Sequence, residues 1–115
     1  MYRPDIRLGK LSNLISKVLK RVLNSELAQQ FSNDTIEKCP FFMEGQEFIG
    51  SLFEKPQNFC DWAWNDINKV VAVLGRGGNF NTDEFNNWMK DEKTMIDCCT
   101  DGKRPVSFKI ERIED

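Results

Sequence analysis

Apolar and polar positions alternate along these 115 residues with two different periods, and the periods divide the chain into elements. Between Leu11 and Leu23 the apolar positions Leu11, Leu14, Ile15, Val18, Leu19, Val22 and Leu23 recur at steps of one, three and four, which is the spacing of an amphipathic helix. Asn24 and Ser25 suit an N-cap and Glu26 a first turn, so a short helix is predicted over about 26–31. After Cys39-Pro40, Phe42 and Phe48-Ile49 flank a Gly45-Gln46 turn and read as two short β segments that end at Pro56. Asp61 reads as the N-cap of a longer helix to about Leu74, with Ala63, Ile67, Val70, Val71 and Leu74 on one stripe and Gly75 as its stop. Asn81 and Glu84 form a capping-box pattern for a further short helix carrying Phe85, Trp88 and Met89.

From Met95 onward the period changes to two. Val106, Phe108 and Ile110 alternate with Ser107, Lys109 and Glu111, giving a strand with one dry and one wet face. The strand before it has Ile96, Cys98 and Thr100 on one face and Met95, Asp97 and Cys99 on the other. A two-residue Asp101-Gly102 turn opposes Asp97 to Val106 and brings a carboxylate to the apolar face. An odd loop opposes Cys98 to Val106 and Ile96 to Phe108, and is the register expected here, with Cys98 pointing inward. Together the elements predict an α+β fold: a small, mainly antiparallel sheet, open or curled into a partial barrel, with a C-terminal hairpin and a covering helix at about 61–75. The length fits one domain over 1–115, with 1–12 as a flexible or chain-specific extension.

Composition narrows the partners. Sixteen Lys and Arg against eighteen Asp and Glu leave a net charge of -2, so no global positive field favours nucleic acid. The basic excess before residue 30 reads as a solvated face rather than a phosphate-binding arm. The longest apolar stretch, about Val70 to Leu74, falls far short of the ~20 residues that span a bilayer, so no membrane partner is expected. The opening MYRPDIRLGK lacks the apolar core of a signal peptide, and four cysteines without one point to reduced thiols in the cytoplasm. The absence of histidine removes Ser-His-Asp triads, Cys-His pairs and imidazole bases.

The strings CPFFMEGQEF, FCDWAWNDI and CCTDGKRPVSFKIERI, with VLKR and NSELA before them, resemble a family of small, uncharacterised, mostly prokaryotic proteins. The resemblance covers roughly residues 18–113 and implies no particular activity. It does imply a β-strand over about Leu14–Arg21, against the helical periodicity, with Ser16 standing where an apolar residue is expected. The first ten residues and the stretch 79–91 are particular to this chain.

Candidate chemistry centres on Cys39, Cys60, Cys98 and Cys99, the four thiols of the chain. Paired CxxC knuckles are missing, and adjacent cysteines on a strand diverge, so one pocket recruits only one of Cys98 and Cys99. Cys39, Cys60 and Cys99 form the metal-binding alternative; otherwise no cofactor is implied. Cys60, beside Asp61, lies near the positive end of the 61–75 helix, and Arg104 carries charge toward Cys99. Trp62 and Trp64 lie two apart and cannot share a helix face, so one packs inward while the other lines a surface or a cleft. Three readings follow. The first is a domain binding a small molecule or metal in a pocket lined by Cys39, Cys60, Asp61, Trp62, Trp64, Cys98 or Cys99 and Arg104. The second is an enzyme with Cys60 or Cys99 as nucleophile and Asp61 or Asp101 as proton acceptor. The third is a structural or interaction module without a site, including a homo-oligomer.

Overall fold

The computed structural model describes residues 12–51, 54–81 and 87–113. Six elements follow in order: β1 (Leu14–Arg21), α1 (Ser25–Phe31), β2 (Glu47–Gly50), α2 (Asp61–Gly75), β3 (Thr94–Cys98) and β4 (Val106–Arg112). The strands form one antiparallel sheet in the order β2-β1-β4-β3, open at both edges and not curled into a barrel. The fold is α+β, as the periods predict. The Asn81–Met89 helix and the 1–12 extension lie largely outside the described residues.

β1 is a strand, as the resemblance implies, and its helix-like spacing has a specific cause. Leu14, Ser16 and Val18 face the core opposite Arg112, Ile110 and Phe108. The pairing then slips between Val18 and Lys20, leaving Leu19 as a bulge, so Arg21 rather than Lys20 becomes the next inward residue, opposite Val106. One extra residue converts a step of two into a step of three, which periodicity alone reads as a helix.

β4 alternates as predicted, with Val106, Phe108, Ile110 and Arg112 all buried. α2 lays Ala63, Ile67, Val70, Val71 and Leu74 across β3, β4 and β1. Cys60, not Asp61, occupies its N-cap; Asp61 sits in the first turn and pairs with Lys55. The helix stops where Gly77 takes φ 90° and donates its N–H to the Leu74 carbonyl at 3.0 Å. The last turn of α2 carries no basic residue of its own. Instead, buried Arg112 donates Nη1–H bonds to the carbonyls of Leu74 (3.0 Å) and Gly78 (2.8 Å).

Only one of the two expected middle segments is a strand. Phe42 sits in turns before β2 and is buried at the centre of an aromatic cluster, its ring 5.1 Å from Phe59, 5.2 Å from Phe108 and 5.7 Å from Phe48. Gly45, at φ 88°, returns the chain so that its N–H reaches the Val18 carbonyl at 2.8 Å.

The hairpin register also differs from expectation. Asp97 opposes Phe108 and Cys98 opposes Ser107, with Cys99 donating its N–H to Val106 at 3.0 Å, so Cys99 is buried and Cys98 is exposed. The carboxylate does share a face with the core. It is tolerated because β3 is an edge strand: Lys69 of α2 reaches Asp97 at 3.4 Å, and its other oxygen accepts the Cys98 N–H at 2.8 Å.

Candidate functional site

Three remote stretches meet around one cavity of about 180 Å³. The turn at Cys39–Phe42 forms one wall, Cys60, Trp62 and Ala63 at the start of α2 a second, and Cys99, Asp101, Arg104 and Val106 of the hairpin the third. The lining is mostly apolar, with Asp101 and Arg104 as its charged groups. Every lining residue falls within one of the three strings CPFFMEGQEF, FCDWAWNDI and CCTDGKRPVSFKIERI.

Each wall has an identifiable fastening. Arg21, turned inward by the bulge at Leu19, donates from Nη1 to the Cys39 carbonyl at 2.9 Å and from Nε to Glu44 at 3.0 Å, which fixes the first wall. Backbone hydrogen bonds first, then Arg21, hold the Glu44 carboxyl below its ordinary value of 4.5. The hairpin tip is tied to α2 through Thr100. Asp66 accepts the Thr100 N–H at 2.7 Å and its hydroxyl at 3.0 Å, while Trp62 Nε1–H donates to the same hydroxyl oxygen at 2.8 Å. Asn24 stands at the N-cap of α1 but sends its side-chain amide to the Gly102 carbonyl, so the tip is held from this side too. Within the tip, Asp101 accepts the N–H groups of Lys103 (3.1 Å) and Arg104 (3.3 Å), an Asx turn with its carboxylate turned back on its own loop.

Of the residues singled out in the sequence, Cys39, Cys60, Trp62, Cys99 and Arg104 line the cavity, and Trp64, Asp61 and Cys98 do not. Trp62 is half exposed, whereas Trp64 turns inward to Phe59 at 6.0 Å, which is the division of labour the spacing requires. Asp61 is engaged by Lys55. Cys98 faces the other side of the sheet, and burial first, then the Asp97 carboxylate, pushes its thiol above the ordinary value. Cys99 accepts the Val106 N–H on its sulfur at 3.3 Å. Among the described residues, no three Cys, Asp or Glu side chains are grouped so as to hold a metal ion. The three-thiolate alternative therefore gains no support.

Sequence reasoning missed Phe41, Phe42 and Ala63 as lining residues and Arg21 as the group that sets Cys39. The CPFF string carried a signal: a proline that ends regular pairing, followed by two rings, marks a turn whose aromatics have to be buried elsewhere. A larger cavity of about 390 Å³ lies beside α1, walled largely by Ser25, Gln29, Ser32, Asn33, Asp34 and Thr35. Leu23, Ala28 and Ile36 complete its wall, but none of the residues singled out as candidate chemistry lines it.

No family model, no curated protein and no solved structure matches the chain.

Proposed function

We propose that this domain binds a small, largely apolar molecule in the Cys39–Cys60–Cys99 cavity, with the exposed indole of Trp62 at its rim. The observation that carries this reading is the meeting of three separately encoded strings around a single space at the edge of the core, with Cys99 buried and Cys39 and Cys60 only partly covered. Size limits the guest. A dry cavity of about 150 Å³ admits a benzene ring, so about 180 Å³ accepts a single ring or a short branched alkyl group. Four free thiols support a cytoplasmic setting, and the resemblance to the small prokaryotic family is consistent with it.

The thiol-enzyme reading is weaker on chemical grounds. A cysteine nucleophile needs a proton acceptor, and the cavity's carboxylate, Asp101, already receives the N–H groups of Lys103 and Arg104.

The test is a titration with toluene, followed by the NMR signal of the Trp62 indole N–H. We expect saturable shifts with a dissociation constant of roughly 0.1 to a few mM, the range that seven heavy atoms sustain. Cys60→Phe fills the space and abolishes the shifts, its thermal melt confirming that it folds. Unsaturable shifts in the natural protein, or equal binding by folded Cys60→Phe, overturn the proposal.

A further inference from the structure

The cavity does not end at Trp62. Trp62, Asp101 and Arg104 also line an adjoining space of about 290 Å³, whose other walls are Ile36 and Lys103. The inner one has three thiols and the apolar side chains of Phe42, Ala63 and Val106; Asp101 and Arg104 stand where the two spaces join, and the outer one adds the Lys103 ammonium beside the apolar Ile36 and Trp62.

That carboxylate is already committed. Asp101 accepts two backbone N–H groups and, at 3.4 Å, Nε–H of Arg104. The contact uses only one edge of the guanidinium, and among the described residues Arg104 has no other side-chain partner. Its remaining N–H donors are a fork suited to a planar anion. Lys103 bonds through Nζ to the hydroxyl of Ser32 at 3.0 Å, a neutral partner that leaves its charge uncompensated. A guest with an apolar inner end and one negative charge at its outer end balances the lining at both places.

We infer that the ligand is an amphiphilic monoanion, an aryl- or short alkyl-substituted carboxylate, whose apolar group enters the cysteine-lined cavity past Trp62 and whose carboxylate pairs with Arg104. This inference rests on the cavity being a ligand pocket at all, and it adds the charge and direction of the guest.

Phenylacetate, its neutral isostere phenylacetamide, and toluene separate the two ideas. Dissociation constants are measured for each by calorimetry and by the Trp62 indole shift, on the full chain at low and high salt. Phenylacetate is expected to bind about tenfold tighter than phenylacetamide, a gap that narrows as salt rises. In Arg104→Gln the gap closes, and a cooperative thermal melt certifies the fold of the variant. Equal affinity of the natural protein for phenylacetate and phenylacetamide overturns the anion inference and leaves the pocket standing. Failure of all three compounds to bind overturns the pocket itself. A gap that persists in Arg104→Gln removes Arg104 as the anchor.

Discussion

Replacing Arg112 by methionine is expected to cost more than any surface change in this domain. The guanidinium is buried, and its Nη1 donates to the Leu74 carbonyl in the last turn of α2 at 3.0 Å and to the Gly78 carbonyl just beyond the helix at 2.8 Å. Methionine keeps most of the apolar stem, so the loss is concentrated in the head group. Each hydrogen bond from a charged donor contributes about 1.5 kcal/mol, and a cation at a helix C-terminus adds roughly 0.5 to 1 kcal/mol. The expected cost is about 3.5 to 4 kcal/mol. For a chain between the 100- and 150-residue classes, this lowers the melting temperature by roughly 11 to 20 °C. Arg112→Lys keeps the charge but offers a single ammonium to two carbonyls, so about half of the loss returns. Calorimetric melts and urea titrations read both variants, and an unchanged urea slope confirms that stability rather than the unfolded state has moved. Amide exchange at Gly77 and Gly78, whose N–H groups bond to Leu74 and Val73, should accelerate beyond the global change. A methionine variant melting within about 2 °C of the natural protein refutes the account.

Other expectations concern the fastenings of the cavity. Thr100→Val removes the hydroxyl that bridges Trp62 and Asp66, and should cost about 1 kcal/mol while raising amide exchange across 100–104; unchanged exchange there argues against a tie. Glu44 is held below 4.5 in the fold, so its contribution is complete above that pH and is lost as pH falls through the lower folded value; NMR titration of Glu44 and Gly45 should show the 39–46 turns loosening only in that acid window. Because backbone hydrogen bonds are the largest cause, Arg21→Met should reduce that depression without abolishing it, and should speed alkylation of Cys39. Cys98, although exposed, should alkylate more slowly near pH 8 than an unstructured thiol, and Asp97→Asn should speed it, since the raised thiol value leaves less thiolate; equal rates count against this reading.

Much of the architecture was legible in the residues, and the failures were local. The stripe Ala63-Ile67-Val70-Val71-Leu74 and the alternation Val106-Phe108-Ile110 each express one period without interruption, and both became the predicted elements. The stretch 14–21 misled because the bulge at Leu19 changes the phase of a strand midway, which no single period describes. The hairpin register failed because a carboxylate opposite Phe108 looks prohibitive until Lys69, from a different element, is known to reach it. The site was partly legible: thiols and tryptophans are sparse and chemically distinctive, so Cys39, Cys60, Cys99, Trp62 and Arg104 stood out. Phe42 and Arg21 did not, because their roles depend on where a turn and a bulge aim them.

The edge strand β3 has one further consequence. Cys99 directs its N–H inward to β4, so by alternation the N–H of Cys98 points outward, where another chain's backbone would dock to extend the sheet. Asp97 has already claimed that donor with its own carboxylate. A visiting strand would meet a negative charge in place of a free amide, so the same residue that unsettles the hairpin's phase also discourages the molecule from polymerising along its exposed margin.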